Sequence, residues 1–138
     1  MTISKKGIAM AKQTIRDPES LLAAISTIHD SGFKVDDVEY NPTEKTVTIN
    51  TTEYEYKGKF VQIQTKKIAA KHKLILSNIE NYEIIPKEKK GYQVVFEDYI
   101  DCANIEAERL IIICTFHDIQ LIFSNLYGEL MSFPPNVC

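Results

Sequence analysis

The residues best suited to chemistry in this chain lie in one short run, Cys114-Thr115-Phe116-His117-Asp118. A thiolate beside an imidazole, with a carboxylate next to it, is the combination of a nucleophilic site. Spacing decides whether the groups meet. A two-residue turn through Thr115-Phe116 would set Cys114 across from His117, but that pair suits neither type of tight hairpin turn. A four-residue loop over 115–118 pairs Cys114 with Ile119 instead. The expected arrangement is therefore a buried Cys114, with His117 at a loop tip. Cys114, His117 and Asp118 are the catalytic candidates, and the expectation is that none of them is catalytic. A metal site drawn from Cys102, Cys114 and His117 lacks the paired spacing of zinc ligands, so no metal is expected. The glycines at 7, 32, 58, 91 and 128 are isolated. No phosphate-binding or dinucleotide fingerprint exists, and no cofactor is expected.

The other polar groups read more simply. His29 belongs to the last turn of a helix, where a cation suits the negative dipole end. His72 stands between Lys71 and Lys73 and reads as a surface residue. Acids cluster at Asp36, Asp37 and Glu39 and again at Glu97, Asp98 and Asp101, without the glycine and alternation of a calcium loop. They read as solvated acids at strand ends. Tyr54 and Tyr56 beside Lys57, Lys59 and Phe60 mix aromatic and basic groups as single-strand nucleic-acid binders do. Glu53 and Glu55 oppose that reading.

Charge is unevenly spread. The 138 residues hold 16 Lys+Arg against 19 Asp+Glu, a net of −3. Residues 57–73 carry six lysines and no acid, whereas 91–138 carry seven acids and one base, Arg109. An acidic total argues against a general nucleic-acid binder. The two segments are expected to lie apart and to leave two patches, one on Lys66, Lys67, Lys71 and Lys73, the other on Glu106 and Glu108. Three cysteines are an odd number, which does not suggest a disulfide framework. The longest unbroken apolar run is Leu110–Cys114, and residues 8–11 are too few for a signal core. These features predict free thiols, a cytoplasmic location and no membrane partner.

Periodicity places these residues on elements. Residues 1–16 hold four bases and no acid and read as a loose basic arm or an early edge segment. Asp17 as cap, Pro18 at the first helical position and Leu21, Leu22, Ile25 and Ile28 on one face predict a helix over 18–31. Gly32 is expected to end it in the left-handed conformation. After Phe33 the period becomes two, in runs such as 46–50, 53–57, 61–64 and 92–97, divided by hairpin breaks. The parity slip at Asp36-Asp37 predicts a bend. Lys66–Lys71 is expected as a helical turn or crossover, and a strand from Leu74 to Ile85 should kink near Asn78. Leu110–Cys114 is expected as a covered strand, with Ile119, Leu121 and Phe123 as its partner.

One helix followed by hairpins predicts an α+β domain over 17–138. Its N-terminal helix packs on a mostly antiparallel, hairpin-connected sheet. The alternative is a strongly curled sheet or partly closed barrel with the helix as a plug. In function, the leading expectation is a non-enzymatic protein-interaction domain of the accessory, inhibitor or immunity type, with a basic partner. The rivals are a small hydrolase or ligand-binding domain with a pocket between helix and sheet, and a binder of nucleic acid or anionic surfaces through 57–73.

Overall fold

The computed structural model describes residues 11–57, 65–87 and 97–135. Strand β1 (Ala11–Ile15) leads into helix α1 (Pro18–Thr27). Strand β2 (Gly32–Lys34), a 3-10 turn over Val35–Asp37, and β3 (Glu39–Asn41) precede the longer β4 (Thr46–Lys57). Then come β5 (Thr65–Pro86), β6 (Glu97–Glu106), β7 (Arg109–Cys114) and β8 (His117–Phe133). All the pairings are antiparallel. Strands run in the order β8-β5-β4-β2-β6-β7, and β7 returns to β8. Six strands thus close a barrel, with β1 added beside β8 and β3 beside β4. Closure satisfies strand edges that an open sheet would expose.

Strand β8 makes closure possible because it is long enough to pair twice on one side. Its residues 118–122 face β7, and 128–132 face β1. Along the other side it pairs with β5 from His117 to Phe133. Alternation points one face of each strand inward. Val47, Ile49, Leu74, Leu76, Ile100, Leu110, Ile112, Ile119, Leu121 and Leu130 are fully buried. Leu21, Ala24 and Ile25 of α1 join the same core. Each large aliphatic side chain buried this way contributes about 1.5–3 kcal/mol.

The helix starts as its sequence predicts. The Asp17 carboxylate accepts from the Ser20 amide at 2.7 Å, and the Ser20 hydroxyl in turn accepts from the Asp17 amide at 3.1 Å. Its end differs. The helix stops at Thr27, not Ser31, and the left-handed residue is Asp30, with φ 65°. Gly32 is not left-handed. It is a strand residue between Thr52 and Tyr99. A Cβ there would lie 3.2–3.3 Å from the Glu97, Tyr54 and Tyr99 side chains, so small size, not φ, is what the position uses.

Other expectations divide. The bend at Asp36-Asp37 is the 3-10 turn. Asn78, at φ 60°, marks the kink in β5. Lys66–Lys71 is no crossover or helical turn, because β5 runs unbroken through it. Of the two readings for the N-terminus, an edge segment fits 11–15. Ile111 and Ile113 are only half-buried, so β7 is covered fully on one face alone. The runs 61–64 and 92–96 lie outside the described residues. Among the described residues, no helix is long and apolar enough to cross a membrane.

Gly128 marks a close approach of β5 and β8. It stands opposite both Leu76 and Ile15. A Cβ there would sit 2.6 Å from the Ile75 carbonyl oxygen and 2.9 Å from Leu76 Cδ2. Backbone must move to admit it, so Gly128→Ala is expected to cost about 1–3 kcal/mol. Urea denaturation checks this, and an unchanged midpoint would show that the strands part without penalty.

Candidate functional site

The turn after β7 brings together part of the set marked out by residue type. Ile113 pairs with Asp118, so the connection is the two-residue Thr115-Phe116 turn and not a four-residue loop. His117 consequently begins a strand and points into the barrel end instead of standing at a loop tip. Strand β6 explains why a poor turn pair is tolerated. The Thr115 amide donates to the Tyr99 carbonyl at 3.0 Å, and the Phe116 amide donates to Asp98 Oδ1 at 2.9 Å. Neighbouring backbone, not turn propensity, holds the loop.

Asp98 is the centre of this cluster. Its side chain is fully buried, and Oδ1 also accepts from the Tyr99 amide at 2.7 Å. Oδ2 lies 2.8 Å from His117 Nδ1. A carboxylate can only accept, so Nδ1 carries a ring proton, and in the neutral ring Nε2 holds the lone pair. Among the described residues Nε2 makes no hydrogen bond, and the His117 side chain is 15% exposed. A buried acid that fixes the tautomer of a partly exposed histidine is the arrangement of a general base and its orienting residue.

Cys114 does not complete a nucleophilic set. Its Sγ is fully buried and reaches only the Ile112 carbonyl, at 3.8 Å. No hydrogen bond joins it to His117. Burial, and then the charge of Asp98, push the Cys114 thiol far above the ordinary thiol range. It stays protonated in the fold while an unfolded chain would ionise from about pH 8.5. Its contribution to stability is therefore present below that pH and lost as pH rises above it, by up to about 1.4 kcal/mol per pH unit. Cys114→Ala should remove this alkaline loss, as stability measured from pH 8 to 10 would show. Exposed Cys102 should alkylate in the native protein and Cys114 only on unfolding. Cys138 lies outside the described residues.

Asp118 faces away from this cluster. Its Oδ1 is buried and has no hydrogen bond, but lies 3.5 Å from the Lys87 ammonium. That ammonium donates to the Cys114 carbonyl, so it braces the turn from the other side.

Sequence alone gave no sign of a second buried cluster. His72 is 5% exposed and not a surface residue. It faces inward in the same alternation as Leu74 and Leu76. Its Nδ1 lies 2.8 Å from Ser132 Oγ, and its Nε2 lies 3.1 Å from Glu53 Oε1. One ring thus ties β4, β5 and β8 together. Lysines on both sides masked this, because they point outward while the residue between them points in. Of the three groups, the acid is the well-exposed one, at 44% of its side chain. That order is the reverse of a catalytic triad, where the acid is buried. A brace satisfied at both ring nitrogens is the better description.

Neighbouring strands carry parts of the two charged segments, β5 beside β8. Lys71 and Lys73 lie opposite Phe133 and Met131 of acidic-segment strand β8, and Lys67 lies opposite Glu55 of β4. Lys67 is exposed, while Lys71 and Lys73 are half-buried. The side chain of Lys66 lies outside the described residues. Glu106 and Glu108 are exposed on either side of Ala107, which turns the β6–β7 hairpin at φ 53°. Arg109, the one base of that segment, is engaged with Gln120 at 3.1 Å.

A cleft of about 200 Å³ lies between α1 and β6. Leu22, Ile25 and Ala103 supply its apolar wall, and His29, Asp101 and Cys102 its polar side. His29 follows the helix end. Its Nδ1 donates to the Asp101 carbonyl at 2.7 Å, and its Nε2 lies 3.3 Å from the Asp30 carboxylate. Comparison with protein-family models, with curated proteins and with solved structures finds no match to this chain.

Proposed function

We propose that the protein is a non-enzymatic domain that binds a basic protein partner through the acidic β6–β7 hairpin. The observation that carries this reading is the display of Glu106 and Glu108 at the hairpin tip. Both are exposed, and the nearby arginine is spent on Gln120. The β7 arm of the hairpin pairs with β8 over residues 109–113, so the two carboxylates are presented on a firm edge. Opposed charge mainly speeds encounter and discourages wrong partners. A partner captured from the cells that make the protein provides the test. With that partner, Glu106→Lys together with Glu108→Lys should slow association roughly tenfold at low salt. The difference should shrink as the Debye length falls to about 8 Å at physiological salt. An association rate indifferent to the reversal would defeat the reading. A rate sensitive only to reversal of Lys66 and Lys67 would instead favour binding to an anionic surface.

The His117 ring favours a second reading, a small hydrolase in which Nε2 takes a proton from water. Its support is the Asp98–His117 geometry. Ester turnover that falls in Asp98→Asn would count for it.

A further inference from the structure

We infer that the α1–β6 cleft receives an aliphatic side chain from a basic segment of the partner protein, a step that rests on the partner-binding reading above. Leu22 is 43% exposed, one of three large apolar residues left open among the described residues. It forms the cleft wall with Ile25 of the same helix face and Ala103 of β6. A volume of about 200 Å³ is below the ~300–1,000 Å³ typical of small-molecule sites and suits one inserted side chain. Shape and apolar lining therefore point to a side-chain anchor of the kind that dominates protein interfaces.

Charge at the rim says what should flank that anchor. The Asp30 and Asp101 carboxylates are 80% and 59% exposed, on either side of His29. The histidine donates one ring nitrogen to a backbone carbonyl, which fixes it between the two acids. A Lys or Arg beside the inserted side chain would meet these carboxylates. Asp101 and Glu106 both belong to β6, five residues apart, so one strand carries the cleft and leads to the acidic hairpin. A partner that met Glu106 and Glu108 would lie along that strand toward the cleft.

Selection of a displayed random peptide library on the intact protein tests this. Enriched peptides should carry an aliphatic residue next to Lys or Arg. Leu22→Asp should weaken the best of them at least tenfold, with an unaltered melting transition because Leu22 is at the surface. Cys102→Phe, which fills the cleft from its other side, should do the same. Bound peptide should slow alkylation of the Cys102 thiol severalfold. Failure to enrich such peptides, or peptides indifferent to both variants, or unchanged alkylation, would overturn the inference. The two proposals fail separately. Partner binding lost on reversal of Glu106 and Glu108 but untouched by Leu22→Asp removes the cleft and leaves the hairpin. The opposite pattern removes the hairpin.

Discussion

Replacing Ile112 by alanine is expected to lower the unfolding free energy by about 2–5 kcal/mol. Ile112 has no exposed surface, and it sits at the middle of β7 between buried Leu110 and Cys114. It pairs with Ala103 on one side and Ile119 on the other. The loss has two parts, the transfer of the missing methyl groups and the cavity they leave. Cavity cost depends on how far neighbours can collapse. Here β7 is the strand that closes the barrel between β6 and β8, so its neighbours are pinned on both sides. The upper half of the range is therefore expected. Against a total of roughly 5–15 kcal/mol for a domain, this variant stands near the edge of folding. Chemical denaturation of Ile112→Ala and of Ile111→Ala provides the comparison. Ile111 is on the outer face and half-buried, so its replacement should cost distinctly less. Equal losses would mean that inward and outward faces of β7 are misassigned.

That inward face was legible because alternation is a local property. Leu110, Ile112, Leu121 and Phe123 follow period two, and each is buried. The start of α1 was legible for the same reason, since Asp17 and Pro18 act within one turn, although the reciprocal Ser20 bond was not foreseen. Antiparallel pairing and a helix beside a sheet followed from the order of periods, and a curled sheet or partly closed barrel stood only as the alternative. What escaped was set by partners distant in sequence. Barrel closure depends on β7 returning to β8 while β8 continues to β1, and no residue marks that. Gly32 resembles a helix stop, yet the helix has already ended and Tyr54, Glu97 and Tyr99 define the space around it. His72 was misread because its lysine neighbours set the local composition, while burial follows the parity it shares with Leu74 and Leu76. In the candidate site, His117 was picked out but its partner was not. Asp98 lies nineteen residues away, among acids that read as a solvated strand end.

Asp98 should be the polar residue whose loss costs the fold most. Three donors converge on its buried carboxylate, the Tyr99 and Phe116 amides and the His117 ring. Asp98→Ala would leave all three without an acceptor in a place that water does not reach. Each stranded donor costs about 1–3 kcal/mol, so three cost at least about 3 kcal/mol, in line with the about 3–5 kcal/mol for breaking a buried charged pair. Asp98→Asn separates geometry from charge. The asparagine oxygen still accepts from the two amides, and its NH₂ then faces His117 Nδ1. That nitrogen must become the acceptor, so the ring proton moves to Nε2. The asparagine variant should therefore fold with a loss nearer 1 kcal/mol, about one net hydrogen bond. Its His117 should display the opposite tautomer in imidazole nitrogen chemical shifts. If both variants lose the same stability, the negative charge matters and the hydrogen-bond pattern does not. If His117 keeps its proton on Nδ1 in Asp98→Asn, the ring is held by something other than Asp98. The tautomer also bears on function, because only the Nδ1–H form leaves Nε2 free to accept a proton. A variant that folds but inverts the ring thus removes base capacity at His117 without removing the ring.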